Sequence, residues 1–283
     1  MKKQFFVFVL IAAMTSPLCA QTASDFRISL TSDGGVIIRG YTGSALQVVI
    51  PDTIQFMPVK EIGREAFRSG KITSVVIPEG VTHIRGNAFA DCRELSSVTL
   101  PGTLTSIEEE AFDNCISLSA ITLPDSLKTI DAFAFRNCAS LSEIKIPNNM
   151  WIIGGGAFQG SGLTSVSWPA GIRNISPRVF YDCKNLQSVT IPEGVELIGS
   201  FSFYGCSGLT AITLPRSISR MNEGAFNSCS SLTTVTIPNS VRAINFSEQE
   251  PETASENKSF LGCVNMSSAS QRTLRRVGYT GGF

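Results

Sequence analysis

The sequence predicts a mainly β fold in which short, similar coils stack on one another into a solenoid. One observation is a proline that recurs at intervals of 27, 23, 23, 23, 22, 23, 23 and 23 residues: Pro51, Pro78, Pro101, Pro124, Pro147, Pro169, Pro192, Pro215 and Pro238. The other is a shared phrase with Leu, Val, Ile, Ala-Phe and Cys at fixed positions, seen twice in succession at 88–110 and 111–133. Self-similarity at a short fixed period is typical of stacked repeats, because a single unit cannot bury its apolar face alone.

The residues just before each proline predict the strands of this solenoid. There the sequence reads V-x-I, and apolar residues that alternate with polar ones indicate a half-buried strand. We expect parallel strands at 75–77, 98–100, 121–123 and equivalent positions through 235–237. Proline ends each strand because it has no backbone N–H. A second apolar pair, such as Val81 with Ile84, then turns the chain inward, so short β or 3₁₀ segments are expected on the opposite side.

The first twenty residues predict export. Lys2 and Lys3 precede an apolar run at 5–14 and a small residue, Ala20, a pattern typical of a secretory signal peptide at 1–20. Without these two lysines the chain has 21 basic and 23 acidic residues, a net charge of −2. A lipoprotein anchor at Cys19 is the less favoured alternative. We expect the periplasm, the outer surface or secretion, with no transmembrane segment in the mature chain.

These units resemble the leucine-rich repeats of the BspA-like, treponemal type, which read L-x-x-V-x-I-P-x-x-V-x-x-I-G-x-x-A-F-x-x-C. The resemblance covers 48–263 and implies a right-handed leucine-rich-repeat solenoid with its parallel sheet on the concave face. Residues 25–51 resemble the opening hairpin of that family, with Asp33-Gly34-Gly35 as the turn, and we assign the N-terminal hairpin cap to 21–47. Residues 264–283 are expected to form a C-terminal cap with a short helix near 269–276. The acidic insertion 247–257 is predicted to be a surface loop.

Seven cysteines of the predicted mature chain follow the repeat: Cys92, Cys115, Cys138, Cys183, Cys206, Cys229 and Cys263. Neighbouring cysteines in register would have Cβ atoms about 4.8 Å apart, whereas disulfides need about 3.8 Å. Seven is also an odd number. We therefore expect free thiols that are buried beside phenylalanine rather than disulfides. The fifth unit lacks this cysteine, and we assign Gly160 to the position.

Few residues offer catalytic, metal or cofactor chemistry. His83 is the only histidine, and we interpret it as a solvated side chain in a surface turn. The chain has no C-x-x-C pair, so a zinc site is not expected. The carboxylates at 108–110 fit a solvated face, and the glycines at 154–156 lack the spacing of a phosphate loop. The sequence thus predicts no enzyme, no cofactor and no metal, and its balanced charge disfavours nucleic acid.

Outward-facing strand residues form the predicted contact surface, because solenoid curvature gathers them into one face. They are mostly Ser and Thr, which also suit β-propensity and solubility alone. Trp151 replaces polar residues at its repeat position, and an exposed Trp is a favoured interface anchor. We expect partner binding on, or at the rim of, the strand face at Glu143, Lys145, Trp151, Thr122, Ser167 and Thr190.

A second candidate patch is expected on the opposite side of the solenoid. Tyr181 and Tyr204 share one repeat position in adjacent units, and Phe201 lies three residues before Tyr204. Phe133 and Phe201 replace mostly polar residues at another position. For these two phenylalanines, covering a local gap in the packing is an equally good interpretation.

Two functions stay open. The first is a non-catalytic, exported protein–protein interaction module, and the resemblance implies adhesion or attachment to host or cell-surface components, such as extracellular-matrix proteins. The second is a structural or assembly role in the periplasm or envelope, with no external ligand. Protease accessibility on intact cells would separate the two.

Overall fold

The computed structural model describes residues 21–241, the backbone of 243–246, and residues 259–283. The predicted signal peptide 1–20, with the alternative anchor Cys19, and the predicted acidic loop 247–257 lie outside the described residues.

The described chain consists almost entirely of short strands and turns. It starts with a 3₁₀ turn at Ala23–Asp25 and ends with one helix, α1, at Ser268–Arg276. The strands in chain order are β1 Phe26–Leu30, β2 Val36–Tyr41, β3 Gln47–Val49, β4 Thr53–Ile54, β5 Met57–Ile62, β6 Ser74–Val76, β7 His83–Ile84, β8 Ser97–Thr99, β9 Ser106–Ile107, β10 Ala120–Ile121, β11 Thr129–Ile130, β12 Ile152–Ile153, β13 Ser165–Ser167, β14 Asn174–Ile175, β15 Ser188–Thr190, β16 Leu197–Ile198, β17 Ala211–Thr213, β18 Arg220–Asn222, β19 Thr234–Thr236 and β20 Ala243–Phe246.

Two faces of the solenoid are built from parallel strands. The first sheet holds the strands before each proline: β3, β6, β8 and β10 pair in one group, β13 pairs with β15, and β17 pairs with β19. The second sheet holds the strands after each proline, with β5, β7, β9, β11 and β12 in one group and β14, β16, β18 and β20 in another. These pairings confirm the predicted mainly β solenoid with parallel sheets.

The strand bounds correct the prediction by one residue. The first sheet uses Ser74–Val76 rather than 75–77, and its equivalents shift in the same way. Ile77 still donates its N–H to the carbonyl of Thr99 at 3.0 Å, but Pro78 has no N–H with which to continue the ladder. The predicted strand at 144–146 is wrong, since the strand pairing there is limited to an isolated bridge between Ala120 and Glu143, the residue just before that segment.

A ladder of stacked phenylalanines occupies the interior, and we number nine coils by its members. Neighbouring rings are nearly parallel, with centroids 4.9 to 5.8 Å apart. Their side chains are buried, so each ring contributes apolar burial as well as ring-to-ring contact. Coils 1 to 9 carry Phe67, Phe89, Phe112, Phe135, Phe158, Phe180, Phe203, Phe226 and Phe260.

The third face, which we call the turn side, is held by backbone hydrogen bonds between coils. The N–H of Phe89 donates to the carbonyl of Ala111 at 2.8 Å, and the same bond recurs from coil to coil. The turns of coils 1 to 8 each have two residues with positive φ, such as Asn87 at 58° and Asp91 at 60°. Asn, Asp and Gly adopt this left-handed conformation most readily, which explains their recurrence in the turns.

Both ends of the array are closed, as predicted. β1 and β2 form an antiparallel hairpin whose turn contains Gly34 at φ 82°, and β2 pairs with β5 of the first coil. At the other end, α1 begins after Ser267, whose side chain accepts a hydrogen bond from the N–H of Ser270. Gly278 at φ 92° follows the helix, and the buried Tyr279 places its ring edge-on against Phe260.

Candidate functional site

Five of the predicted contact residues share the first-sheet face. Thr122, Glu143, Lys145, Ser167 and Thr190 are all exposed there, because each flanks an inward-pointing apolar residue of its strand. The alternation of strand side chains is the physical reason that this face could be predicted.

The structure brings three of these residues together around a cleft. Lys145, Ser167 and Thr190 line a space of about 400 Å³ on the first sheet, with Ile144 and Val166 also among its lining residues. Ile144 is only partly buried, although its counterparts in most other coils are fully buried. The cleft therefore offers a polar rim with one positive charge and some apolar surface.

Trp151 lies apart from that cleft. It directly precedes β12 of the second sheet and is not among the residues that line the cleft. Its side chain is 71% exposed, and the next residue, Ile152, is 52% exposed. The Nζ of Lys128, one coil earlier, lies 5.9 Å from the indole centroid. Trp151 and Ile152 thus form an exposed apolar pair at the corner between the two sheets.

The second predicted patch is an aromatic cluster that packs against itself. Tyr181 and Tyr204 stack with centroids 4.6 Å apart, and Phe201 meets Tyr204 edge-on at 6.2 Å. Burial, followed by repulsion from Tyr204, raises the pKa of Tyr181. Because all three rings are half-buried against one another, less of their surface is free for a partner than at Trp151.

Phe133 and Phe201 cover glycines of the following coil. A side chain on Gly156 would collide with the Phe133 ring, and one on Gly224 would collide with the Phe201 ring. Both phenylalanines have φ of 57°, an unfavourable conformation for a bulky residue. In each pair the aromatic ring occupies the space into which a side chain at the glycine position would project. This contact supports the gap-covering interpretation of these two residues.

Phe56 is an exposed aromatic residue that the sequence reasoning missed. It is completely exposed at the tip of the hairpin between β4 and β5, a product of the longer 27-residue interval. Gln55 and Phe56 have φ of 53° and 64°. Such two-residue turns favour Asn-Gly, so Gln-Phe is a costly choice. The signal in the sequence was the interval from Pro51 to Pro78, which is four residues longer than the usual 23 and leaves room for a hairpin.

The cysteine ladder is a set of buried, unpaired thiols. Each of the seven Sγ atoms donates to the carbonyl of the phenylalanine one coil earlier, over 2.9 to 3.3 Å. Burial raises the pKa of Cys92 to about 12 and that of Cys183 to about 11. A thiol that stays protonated is a poor nucleophile. The ladder therefore links coils and offers no reactive site.

The assignment of Gly160 to the cysteine position was wrong by one residue. Ser161 occupies it, buried, with its Oγ 3.3 Å from the Sγ of Cys183. Gly160 takes the preceding left-handed position, at φ 67°, where Asp91 stands in coil 2. Serine supplies a hydroxyl where seven of the other coils have a thiol, and this hydroxyl hydrogen-bonds the sulfur of Cys183 in the next coil.

Comparison with protein families identifies these units. The family described as "BspA type Leucine rich repeat region (6 copies)" matches residues 60–186 and 151–268, which together span more than half of the chain. The chain belongs to this family. Its BspA-type repeats account for the spacing of the prolines, the phenylalanine ladder and the cysteine ladder. No curated protein sequence matches the chain.

Solved structures of leucine-rich repeat proteins are similar to it. The T. pallidum leucine-rich repeat protein is 27% identical, with a TM-score of 0.62, over 93% of this chain and 98% of that one. A leucine rich cell surface protein from Faecalibacterium prausnitzii is 21% identical with a TM-score of 0.40, covering 93% and 98% of the two chains. The pneumococcal vaccine antigen PcpA is 16% identical with a TM-score of 0.44, covering 89% and 94%.

Several charged side chains of this BspA-type array form ion pairs between neighbouring coils. Arg85 bonds Glu61 and Glu108 at 2.6 Å each, which lowers the pKa of Glu61, and Arg136 bonds Asp113 at 2.7 Å. Glu108 is therefore ion-paired, not merely solvated as expected. His83 lies in strand β7 rather than in a turn, with Nδ1 2.8 Å from the Thr82 hydroxyl. These ion pairs and the His83 hydrogen bond favour structural roles for the side chains that form them.

The described residues contain no group of three or more His, Cys, Asp or Glu side chains placed to hold a metal ion. Within the same part of the chain, no helix has both the length and the apolar character required to cross a bilayer.

Proposed function

We propose that this protein is an exported, non-catalytic protein-binding module that attaches to host or cell-surface components. Proteins with leucine-rich repeats typically act as protein-interaction modules, and membership of the BspA-type family supports that general role here. The basic and apolar start of the sequence supports export, and the family supports a surface location. The partner class we propose is protein, such as an extracellular-matrix or cell-surface protein.

The exposed pair Trp151 and Ile152 carries the proposal. The repeat position of Trp151 is polar in the other coils, so the exposed indole is a feature of coil 5 rather than of the fold. Interfaces depend on a few aromatic anchors within a tolerant polar surround. Glu143 and Lys145 of the same coil, together with Thr122, Ser167 and Thr190, would supply that surround on the first sheet.

The two tryptophans provide a matched pair of variants for the test. Trp151→Ala should weaken binding by about 2 kcal/mol, roughly a 30-fold rise in Kd, and leave the melting temperature nearly unchanged. Trp168→Ala should instead cost about 3–5 kcal/mol of stability, because Trp168 is only 2% exposed. Binding is measured against a panel of purified extracellular-matrix proteins and envelope extracts.

Two results would contradict this proposal. If the double change Tyr181→Ala with Tyr204→Ala abolishes binding and Trp151→Ala has no effect, the turn-side cluster is the interface. If an external protease cannot reach the protein on intact cells, the role is structural or in assembly within the periplasm or envelope.

A further inference from the structure

The junction between coil 5 and coil 6 differs from the other described junctions. In the second sheet, β12 of coil 5 does not pair with β14 of coil 6, although the strands on either side pair in register. In the first sheet, no strand of coil 5 pairs with β13. Among the described coils this is the one junction where both sheets lose their pairing.

The hydrogen bonds of the second sheet show what is lost. Trp151 donates its N–H to the carbonyl of Lys128 at 2.8 Å, and Glu196 donates to Arg173 at 2.7 Å. The corresponding backbone bond from Arg173 to Trp151 is missing among the described residues. The Ser176 hydroxyl donates to the carbonyl of Ile153, where a backbone N–H donates at the neighbouring junctions.

The sequence explains why the break occurs here. The interval from Pro147 to Pro169 is 22 residues, and the missing residue falls between Ser161 and Leu163. Only Gly162 remains in that turn, where a side chain would collide with the carbonyl of Ala139. The phenylalanine ladder also has its widest spacing here, 5.8 Å between Phe158 and Phe180.

The turn side remains continuous across the junction. Phe158 donates its N–H to Val179 at 3.0 Å, and Cys183 donates its thiol to the carbonyl of Phe158 at 3.0 Å. On the other two faces only single contacts remain: Thr164 donates its N–H to the carbonyl of Ser142 at 3.0 Å beside the first sheet, and the Ser176 hydroxyl bonds Ile153 in the second sheet. Open spaces of about 400 and 700 Å³ are lined by residues of both coils, one on the first sheet and one that includes residues of the second sheet.

From this geometry we propose that the coil 5–coil 6 junction is a hinge that divides the array into two cooperative units. In a stacked array, stability is approximately the sum of the terms for each repeat and for each interface with its neighbour. A junction at which neither sheet has paired strands has the weakest interface term, so the two units open independently. Lys145 lies before the hinge, and Ser167 and Thr190 lie after it. Bending therefore changes the width of the first-sheet cleft.

Native-state hydrogen exchange on the mature chain tests the hinge. In rising urea, the ladder amides of Phe89, Phe112 and Phe135 should follow one opening isotherm, and those of Phe180 and Phe203 another. We expect protection factors that differ by about tenfold or more, with the boundary between coils 5 and 6. A single shared isotherm, or a boundary elsewhere, would overturn the proposal.

Two loop variants add a direct control of the cause. Replacing Ser161-Gly162 by the Cys-Ser-Ser tripeptide of residues 229–231 restores the 23-residue interval and should merge the two isotherms. Replacing Cys115-Ile116-Ser117 by Ser-Gly shortens the coil 3–coil 4 turn and should create a new boundary there. A boundary that stays at coil 5 in the first variant contradicts the assigned cause. If either variant fails to fold, exchange in the unaltered chain still decides.

Discussion

Alkaline pH should unfold this protein steeply because of its cysteine ladder. Burial raises the pKa of Cys92 and Cys263 to about 12, and that of Cys183 to about 11, while an unfolded thiol titrates near about 8.5. Between these values the unfolded chain loses protons that the folded chain retains. The contribution of each thiol to stability is thus fully present below about pH 8.5 and is lost as the pH rises towards the folded pKa.

The size of the effect follows from the number of thiols. Each buried thiol costs about 1.4 kcal/mol of stability per pH unit above about 8.5. Seven of them together remove on the order of 10 kcal/mol by about pH 9.5, as much as the whole stability of many domains. We expect the free energy of unfolding, measured by urea titration with circular dichroism, to fall sharply between about pH 8.5 and 9.5.

The variant Cys138→Ser isolates the contribution of one buried thiol to the pH dependence of stability. Ser161 shows that this repeat position accommodates serine, and a hydroxyl, like a thiol, can donate to the carbonyl of Phe112. The variant should lose stability less steeply above about pH 8.5, by about 1.4 kcal/mol per pH unit. In the unaltered protein at about pH 8, iodoacetamide should label the thiols only after unfolding. Equal slopes for the two proteins, or rapid labelling of the folded chain, would refute the reasoning.

Two further predictions concern the aromatic residues. Changing Gln55→Asn together with Phe56→Gly should raise the free energy of unfolding by about 1–2 kcal/mol, because Asn and Gly adopt the left-handed conformation readily and no buried surface is removed. A lower free energy of unfolding in a urea titration would contradict this and show that the Phe56 side chain packs against the protein. Phe112→Ala should cost about 3–5 kcal/mol, since its ring is buried between Phe89 and Phe135, whereas Phe133→Ala should cost roughly 1–2 kcal/mol. Equal losses in that pair would contradict the ladder as the main source of stability.

The repeat made most of the architecture predictable. Buried positions such as Val98, Phe112 and Cys115 recur at one spacing, so a single unit indicates the inward side of every coil. The Ser and Thr face followed from the period of two within each strand. The helix at Ser268–Arg276 was also predicted, because the serines before it can cap its first turn.

The features that sequence reasoning missed lie where the repeat is interrupted. The turn between Ser161 and Leu163 is one residue shorter than its equivalents, which the sequence shows. The loss of strand pairing in both sheets depends on the exact positions of the neighbouring strands, and the repeat spacing does not give those positions. The exposure of Phe56 depends on a hairpin whose Gln-Phe tip does not resemble a favoured turn. Trp151 was expected at the rim of the strand face, yet its position beside β12 depends on the second sheet, which was predicted only as short segments.

The most direct test of the proposed binding site is a hydrogen-exchange footprint of the protein with a partner protein retained from the binding panel. We predict slower exchange in the complex at 143–153, which contains Glu143, Lys145, Trp151 and β12, and at Ser165–Ser167 across the cleft. Exchange at 178–182 and 201–205, around the Tyr181, Phe201 and Tyr204 cluster, should not change. Protection of the turn-side segments with no change at 143–153 would contradict the proposed site.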